Sequence, residues 1–320
     1  MEYRRLGSSG LKVSEFSFGA WVTFGSQVDN STATECMKIA YDAGVNFFDN
    51  AETYASGRAE TVMGNILKQM KWDRTTYVVS SKVFWGGKLP NQRGLSRKHI
   101  MEACDAALKR LQVDYLDLYF CHRPDPDTPI EETVRAMTDL IRMGKVLYWG
   151  TSEWSAEAIM EAYNLSRKYM LVPPTMEQPQ YNMLHRDKVE REFANLYSEI
   201  GLGLTIWSPL ASGILTGKYN KGISKDSRLN IPAMSWLKES ITGEEGEKKL
   251  DMVRKLEKLA KEVGISLNHL ALLWCLSNKN VSTVILGASK AEQLADNLKA
   301  LDAKNLVNNE VLQKINAVIQ

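Results

Sequence analysis

No C-x-x-C pair occurs in this chain, and its four cysteines, Cys36, Cys104, Cys121 and Cys275, stand far apart. That excludes a dense disulfide framework and suits free thiols in a reducing compartment. The four histidines, His99, His122, His185 and His269, form neither H-x-x-H nor H-E-x-x-H, so no metal site is expected. No apolar run is long enough to span a bilayer, the longest lying near Leu270 to Leu276, and the N-terminus carries no apolar signal core. A cytoplasmic protein without membrane insertion is the expectation. Neither charge dominates: 40 Lys plus Arg against 38 Asp plus Glu leave a net +2, which gives no footprint for nucleic acid. The dinucleotide fingerprint G-x-G-x-x-G is missing too. Gly201-Leu202-Gly203 has two of its glycines, but position 206 is Ile and the segment precedes a strand rather than following one.

What is present is alternation. Strand-like runs fall at Glu15 to Gly19, Asn46 to Asp49, Tyr77 to Lys82, Leu116 to Cys121, Val146 to Thr151, Thr175 to Gln178, Gly203 to Trp207 and Thr283 to Leu286. Helical patterns separate them. Thr32-x-x-Glu35, Thr128-Pro129-x-Glu131 and Ser289-x-x-Glu292 fit the capping box, and further helices start near Arg58, Ser96, Ser155 and His185. Eight strand-then-helix units with right-handed crossovers close into a (β/α)8 TIM barrel, an α/β fold expected to form one domain over residues 1–320. A doubly wound open sheet is the structural alternative, since local alternation does not distinguish closure from opening. Tyr3 to Val13, turned at Ser9-Gly10, reads as a hairpin that plugs one end. The longest strand-to-helix connection follows the seventh strand: a polar stretch from Thr216 to Ser240 precedes helices at Glu245 to Val263 and Leu267 to Leu276, and a last helix spans Asn309 to Val318.

In such a barrel the active site lies where the C-terminal strand ends converge. The second strand ends in Asp49, with Tyr54 five residues on. The third ends in Ser80-Ser81-Lys82, and His122 follows the fourth. A lysine beside a tyrosine can depress the phenol pKa, and an aspartate can hold that lysine charged and in place. Taken singly, Lys82 reads as a solvated charge at a strand end, and His122 as a satisfied polar residue. Their convergence on one face turns the reading towards chemistry.

Asp49, Tyr54, Lys82 and His122 resemble the catalytic tetrad of the aldo-keto reductases, a TIM-barrel family of nicotinamide-dependent carbonyl reductases. The resemblance extends through Phe48-Asp49-x-Ala51-Glu52-x-Tyr54, Tyr148 to Ser152, Trp207-Ser208-Pro209-Leu210-Ala211 and Leu286-Gly287-Ala288-Ser289. Trp85-Gly86-Gly87, Arg93 to His99 and Arg123 to Pro129 are most similar to the voltage-gated potassium channel β-subunit branch. The resemblance implies NADPH as cofactor, with Tyr54 giving a proton to the carbonyl oxygen, Asp49 and Lys82 tuning it, and His122 polarising the carbonyl. It assigns Ala20, Trp21, Gln27, Asp49, Ser152, Gln178, Trp207 and Gly287 to the cofactor site. Ser208, Leu210, Ala211 and Gly213 would wrap the pyrophosphate. Lys218, Arg228, Ser289 and Gln293 would surround the 2′-phosphate, with Asp296 and Asn297 near the adenine. Trp21, Tyr54, Trp85, His122 and Arg123 would line the substrate pocket, an aromatic wall for small carbonyls, while Arg123 and Trp154 would instead suit a polar or anionic one. A homo-oligomer, commonly a tetramer in that branch, is also implied.

Two positions depart from the branch. His122 stands where channel β-subunits typically carry Asn, which favours an enzyme over a channel partner. Glu153 replaces the family's Asn, or Arg in the β-subunits, and a carboxylate accepts from an amide but cannot donate to it. The chain begins at the hairpin itself, so a channel-blocking N-terminal extension is not expected. An NADPH-dependent aldehyde or ketone reductase is therefore the first reading, and a cofactor-binding regulatory or redox-sensing channel subunit the second.

Overall fold

The computed structural model describes residues 1–21, 24–25, 29–220, 222 and 242–319. Tyr3–Arg5 (β1) and Lys12–Ser14 (β2) form the expected antiparallel hairpin. Eight parallel strands then close a barrel: Phe16–Gly19 (β3), Phe47–Asp49 (β4), Val78–Val83 (β5), Leu116–Cys121 (β6), Val146–Thr151 (β7), Met176–Glu177 (β8), Gly203–Ile206 (β9) and Val281–Leu286 (β10). Closure comes from β10, which pairs with β9 on one side and β3 on the other. The open-sheet alternative is thereby excluded. All six residues of β5 and of β6 are buried, as parallel strands covered on both faces require. β10 begins at Val281, two residues before the expected Thr283, across a register irregularity between those residues.

Described residues fall into two compact units. The first, residues 1–179, 187–207 and 279–295, contains the barrel. Leu6 and Val13 of the hairpin join Phe47, Val78, Leu118, Phe120 and Met176 in one buried cluster, so the hairpin does plug the barrel. Gly7 is what lets it dock: a Cβ there would lie 2.2 Å from the Gly201 carbonyl oxygen, at a φ of +56°. Outer helices present apolar stripes; Arg97–Leu111 buries Ile100, Ala103, Cys104, Ala107 and Leu111 at helical spacing. Ser96 and Ser155 cap their helices as expected, accepting from the amides of His99 and Ala158.

Other expected caps are corrected. Asp29, not Thr32, caps the helix Asn30–Asp42, because its carboxylate accepts from the Thr32 amide at 2.7 Å. Thr128 gives its hydroxyl to Asp125 instead, and the helix Ile130–Arg142 has Pro129 at its cap position. Asn182 and His185 pair with each other, which delays helical structure until Lys188.

The second unit, residues 180–186, 208–278 and 296–320, is helical. Its long helix Gly243–Val263 and the helix Leu267–Ser277 are those expected after the seventh strand, and the second is buried along most of its length. The terminal helix is Asn309–Ile319. Among the described residues, no helix is long and apolar enough to cross a membrane.

Candidate active site

Asp49 is the last residue of β4, and the chain leaves it through a tight turn in which Ala55 and Ser56 adopt left-handed φ of 49° and 56°. Two residues without glycine's freedom are held there at a cost of roughly 1–3 kcal/mol each, the kind of strain that clusters at functional loops. This turn delivers Tyr54 to the mouth of β5. Lys82 Nζ, fully buried, donates to Asp49 Oδ2 at 2.6 Å, to the Asn50 carbonyl at 2.7 Å and to Tyr54 Oη at 3.3 Å. All three ammonium protons are therefore used.

Asp49 is itself held from two sides. Its Oδ1 accepts from Ser80 Oγ at 2.8 Å and from Gln178 Nε2 at 3.1 Å. Ser80 lies two residues before Lys82, hence on the same face of β5. That period could have identified it in the sequence. Gln178 Nε2 also meets Thr205 Oγ1, which leaves Gln178 Oε1 with no donor among the described residues.

Burial pushes the Tyr54 phenol well above its usual range; Asp49 pushes the same way and Arg123 opposes. This corrects the expectation that Lys82 depresses it. The lysine's charge is matched by Asp49 at contact distance, and desolvation of a phenolate then dominates. Tyr54 is accordingly a protonated donor throughout the neutral range. Burial lowers Lys82, with Asp49 opposing. His122 is held well below its usual value by burial, then by Lys82 and Arg123, so its ring is neutral. Its Nδ1 has no partner among the described residues, and its ring centre stands 5.8 Å from that of Tyr54.

Trp85 forms a wall 5.1 Å from the His122 ring centre. The loop that carries it is anchored by groups the sequence analysis did not single out. Glu52 accepts from the Phe84 amide at 2.7 Å and faces His99 Nε2 at 3.5 Å, while His99 Nδ1 meets the Gly94 carbonyl. Burial disfavours a charged His99, but the bond and charge of Glu52 and the Gly94 carbonyl outweigh it, and the net direction is upward. Arg123 extends over Trp85, with 5.4 Å from guanidinium carbon to ring centre.

On the opposite wall Trp21 and Trp207 meet edge to face at 6.2 Å. Glu153 supports this pair: it accepts from Trp207 Nε1 at 2.9 Å and from Lys188 Nζ at 3.0 Å, from a backbone φ of 60°. Ala20 is buried and donates its amide to the Asp49 carbonyl. Ser152 Oγ donates to the Gln178 carbonyl at 2.9 Å. Trp154 is only 2% exposed and is a core residue rather than a pocket wall. Gly287 is exposed beyond β10, and Gln293 Oε1 accepts from both the amide and the hydroxyl of Ser289, in place of the expected Glu292. The structure thus brings Asp49, Tyr54, Lys82, His122, Trp85, Arg123, Ser152 and Gln178 together at one barrel mouth.

In the second unit Ser208, Ala211, Ser212 and Gly213 all have positive φ, and a Cβ on Gly213 would come within 2.7 Å of Lys218 Nζ. The bare main chain is what lets the lysine lie over this loop, a local arrangement that fits a phosphate. Asp296 and Asn297 are tied to Asn268 at 2.9 and 3.2 Å. Gln27 and Arg228 lie outside the described residues.

A family model for the aldo/keto reductase family matches residues 15–320. A protein of Oryza sativa subsp. japonica named "Probable voltage-gated potassium channel subunit beta" is 54% identical over 321 residues, which cover 100% of this chain and 97% of that protein. One of Arabidopsis thaliana with the same name is 53% identical over 321 residues, with the same coverage.

Proposed function

The chain belongs to the aldo/keto reductase family, and we propose that it reduces aldehydes or ketones to alcohols with NADPH, using Tyr54 as proton donor. The observation that carries this reading is the reach of Lys82 Nζ to Asp49, the Asn50 carbonyl and Tyr54 Oη at once. NADPH supplies the hydride that goes to the carbonyl carbon. The Tyr54 proton goes to the carbonyl oxygen, and neutral His122 donates a hydrogen bond to the same oxygen as charge develops on it. Lys82 offers its third N–H to Tyr54 and stabilises the phenolate that the proton leaves behind. Asp49 keeps that lysine charged.

Gln178 Oε1 and Ser152 are the groups for the nicotinamide carboxamide, and Ala20, Trp21, Trp207 and Gly287 flank it. Ser208, Leu210, Ala211 and Gly213 are assigned to the pyrophosphate, Lys218, Arg228, Ser289 and Gln293 to the 2′-phosphate, Asp296 and Asn297 to the adenine, and Gln27 to the cofactor as well. A dianionic 2′-phosphate is what makes NADPH the choice over NADH. The names of the rice and Arabidopsis relatives support a second reading, a regulatory subunit that binds cofactor and a channel. We propose further that residues 1–320 act as one domain in the cytoplasm and self-associate, which gel filtration with light scattering reads directly.

The test is loss of NADPH absorbance with a panel of aldehydes that includes methylglyoxal and nitrobenzaldehyde, with Tyr54→Phe as control. Turnover that disappears in the variant supports the reductase. Tight NADPH binding with no oxidation by any aldehyde supports the regulatory subunit.

A further inference from the structure

We infer that the preferred substrates are carbonyl compounds that also bear a carboxylate, recognised by Arg123; this rests on the reading of the site as a carbonyl reductase. Arg123 directly follows His122 at the end of β6 and is half-buried. Its Nη1 donates to the His122 carbonyl at 2.6 Å and to Ser152 Oγ at 3.3 Å, both uncharged acceptors. The face of Trp85 holds the guanidinium from below. Every other cation around this mouth has a carboxylate: Lys82 has Asp49, Lys188 has Glu153 and His99 has Glu52. Among the described residues, Arg123 has none.

A half-buried cation without a counter-ion is costly unless something else supplies the charge. Its influence reaches the reacting groups, since it disfavours the charged forms of Lys82 and His122 and opposes burial at Tyr54. Only one nitrogen of the guanidinium is engaged with protein, so the remaining N–H donors form a planar fork, the shape that takes a carboxylate through two parallel hydrogen bonds. Trp85 restricts that fork to one plane, beside the ring that faces His122. A substrate whose carbonyl oxygen meets Tyr54 and His122 would place its carboxylate at Arg123 and complete the charge balance of the mouth.

The probe pair is 4-carboxybenzaldehyde and its neutral counterpart methyl 4-formylbenzoate, which share the aryl aldehyde and differ in charge. With NADPH, the wild-type protein is expected to favour the carboxylate about tenfold or more in kcat/KM, through KM, with the preference shrinking as salt is added. In Arg123→Gln that ratio should fall to about one, and Arg123→Lys should restore part of it. Equal ratios in wild type and Arg123→Gln, or a wild-type preference for the ester, would overturn the proposal. So would a tenfold loss of NADPH affinity in Arg123→Gln without a change in the substrate ratio, because the arginine would then serve the cofactor. If the wild type reduces neither aldehyde, the reductase reading fails by itself. The anion site is then read from binding of 4-carboxybenzyl alcohol against its methyl ester by tryptophan fluorescence, where an Arg123-dependent preference for the acid supports it and equal binding overturns it.

Discussion

On one face of β5, Lys82 meets Asp49 at 2.6 Å; on the other, Ser81 donates to Glu60, which closes on Arg110 Nε at the same 2.6 Å. Neighbouring residues of one strand thus serve two ion pairs of equal geometry, one inside the barrel and one beneath its helices. They differ in what lies beyond. The inner pair has a third partner, the Tyr54 hydroxyl, through which its charge reaches a pocket. Around the outer pair stand the helices Arg58–Met70 and Arg97–Leu111, brought close because Gly64 leaves its Cβ position to the backbone of Arg110 and Leu111. No reactive group is in reach there. A buried ion pair becomes chemical machinery by having an outlet to a titratable side chain, and its own distance says nothing about which kind it is.

The largest expected effect breaks that outlet. Tyr54→Phe should lower kcat by about 10²- to 10⁴-fold while NADPH affinity, followed by fluorescence titration, changes little, since the ring stays and only the donor goes. Arg110→Met should leave the kcat of the folded protein near wild type. A kcat loss of similar size in both variants would erase the distinction between the pairs.

Next comes stability. Arg110→Met strips the counter-ion from a Glu60 that is 0% exposed and already pushed upward by burial, with Arg110 opposing. The expected cost is ~3–5 kcal/mol in a urea melt near neutral pH. Protonating Glu60 relieves it, so the deficit relative to wild type should shrink as pH falls. A deficit that grows towards acid would contradict the assignment.

Strand β8 repeats the alternation with a different outcome. Gln178, just past its end, turns inward to Asp49, whereas the preceding Glu177 is fully buried, accepts from Thr151 Oγ1 and has no cation. Its carboxyl is raised from 4.5 to about 8, by burial first, against the Thr151 bond and with Glu153 adding to the rise. The folded protein therefore holds this proton to higher pH than the unfolded chain does. The stabilising contribution is complete below 4.5 and is lost as pH rises through about 8. Glu177→Gln should flatten the fall in stability across that window, by a few kcal/mol at its alkaline end. Parallel pH profiles of Tm in variant and wild type would remove Glu177 as the cause.

These contrasts also show what the chain reveals by itself. Asp49, Lys82 and His122 were legible because a strand end plus barrel closure fixes where a side chain goes, whatever surrounds it. Glu60 and Arg110 were not, since fifty residues separate them and each reads as a surface charge on an amphipathic helix. Nor was the direction of the Tyr54 pKa, because depth of burial is a property of packing. Thr32 and Thr128 fitted a capping pattern, yet Asp29 and Asp125 were better placed for the same hydrogen bonds.

The smallest effect concerns Glu153, a third carboxylate–cation pair, this one with an indole as its outlet. Its φ of 60° is strained for Glu and easier for Asn, so Glu153→Asn should relieve strain on the order of 1 kcal/mol and raise Tm slightly. The same change shortens the side chain and loses the bond to Trp207 Nε1, which fixes the indole against Trp21. Net hydrogen bonds of this kind contribute about 1 kcal/mol, so KM for an aryl aldehyde should rise by about fivefold or less with kcat nearly constant. Glu153→Gln keeps an acceptor at the same reach and should move KM less. If Glu153→Asn leaves both KM and the tryptophan emission unchanged, Trp207 is held by its packing alone, and the outlet rule does not extend from phenol to indole.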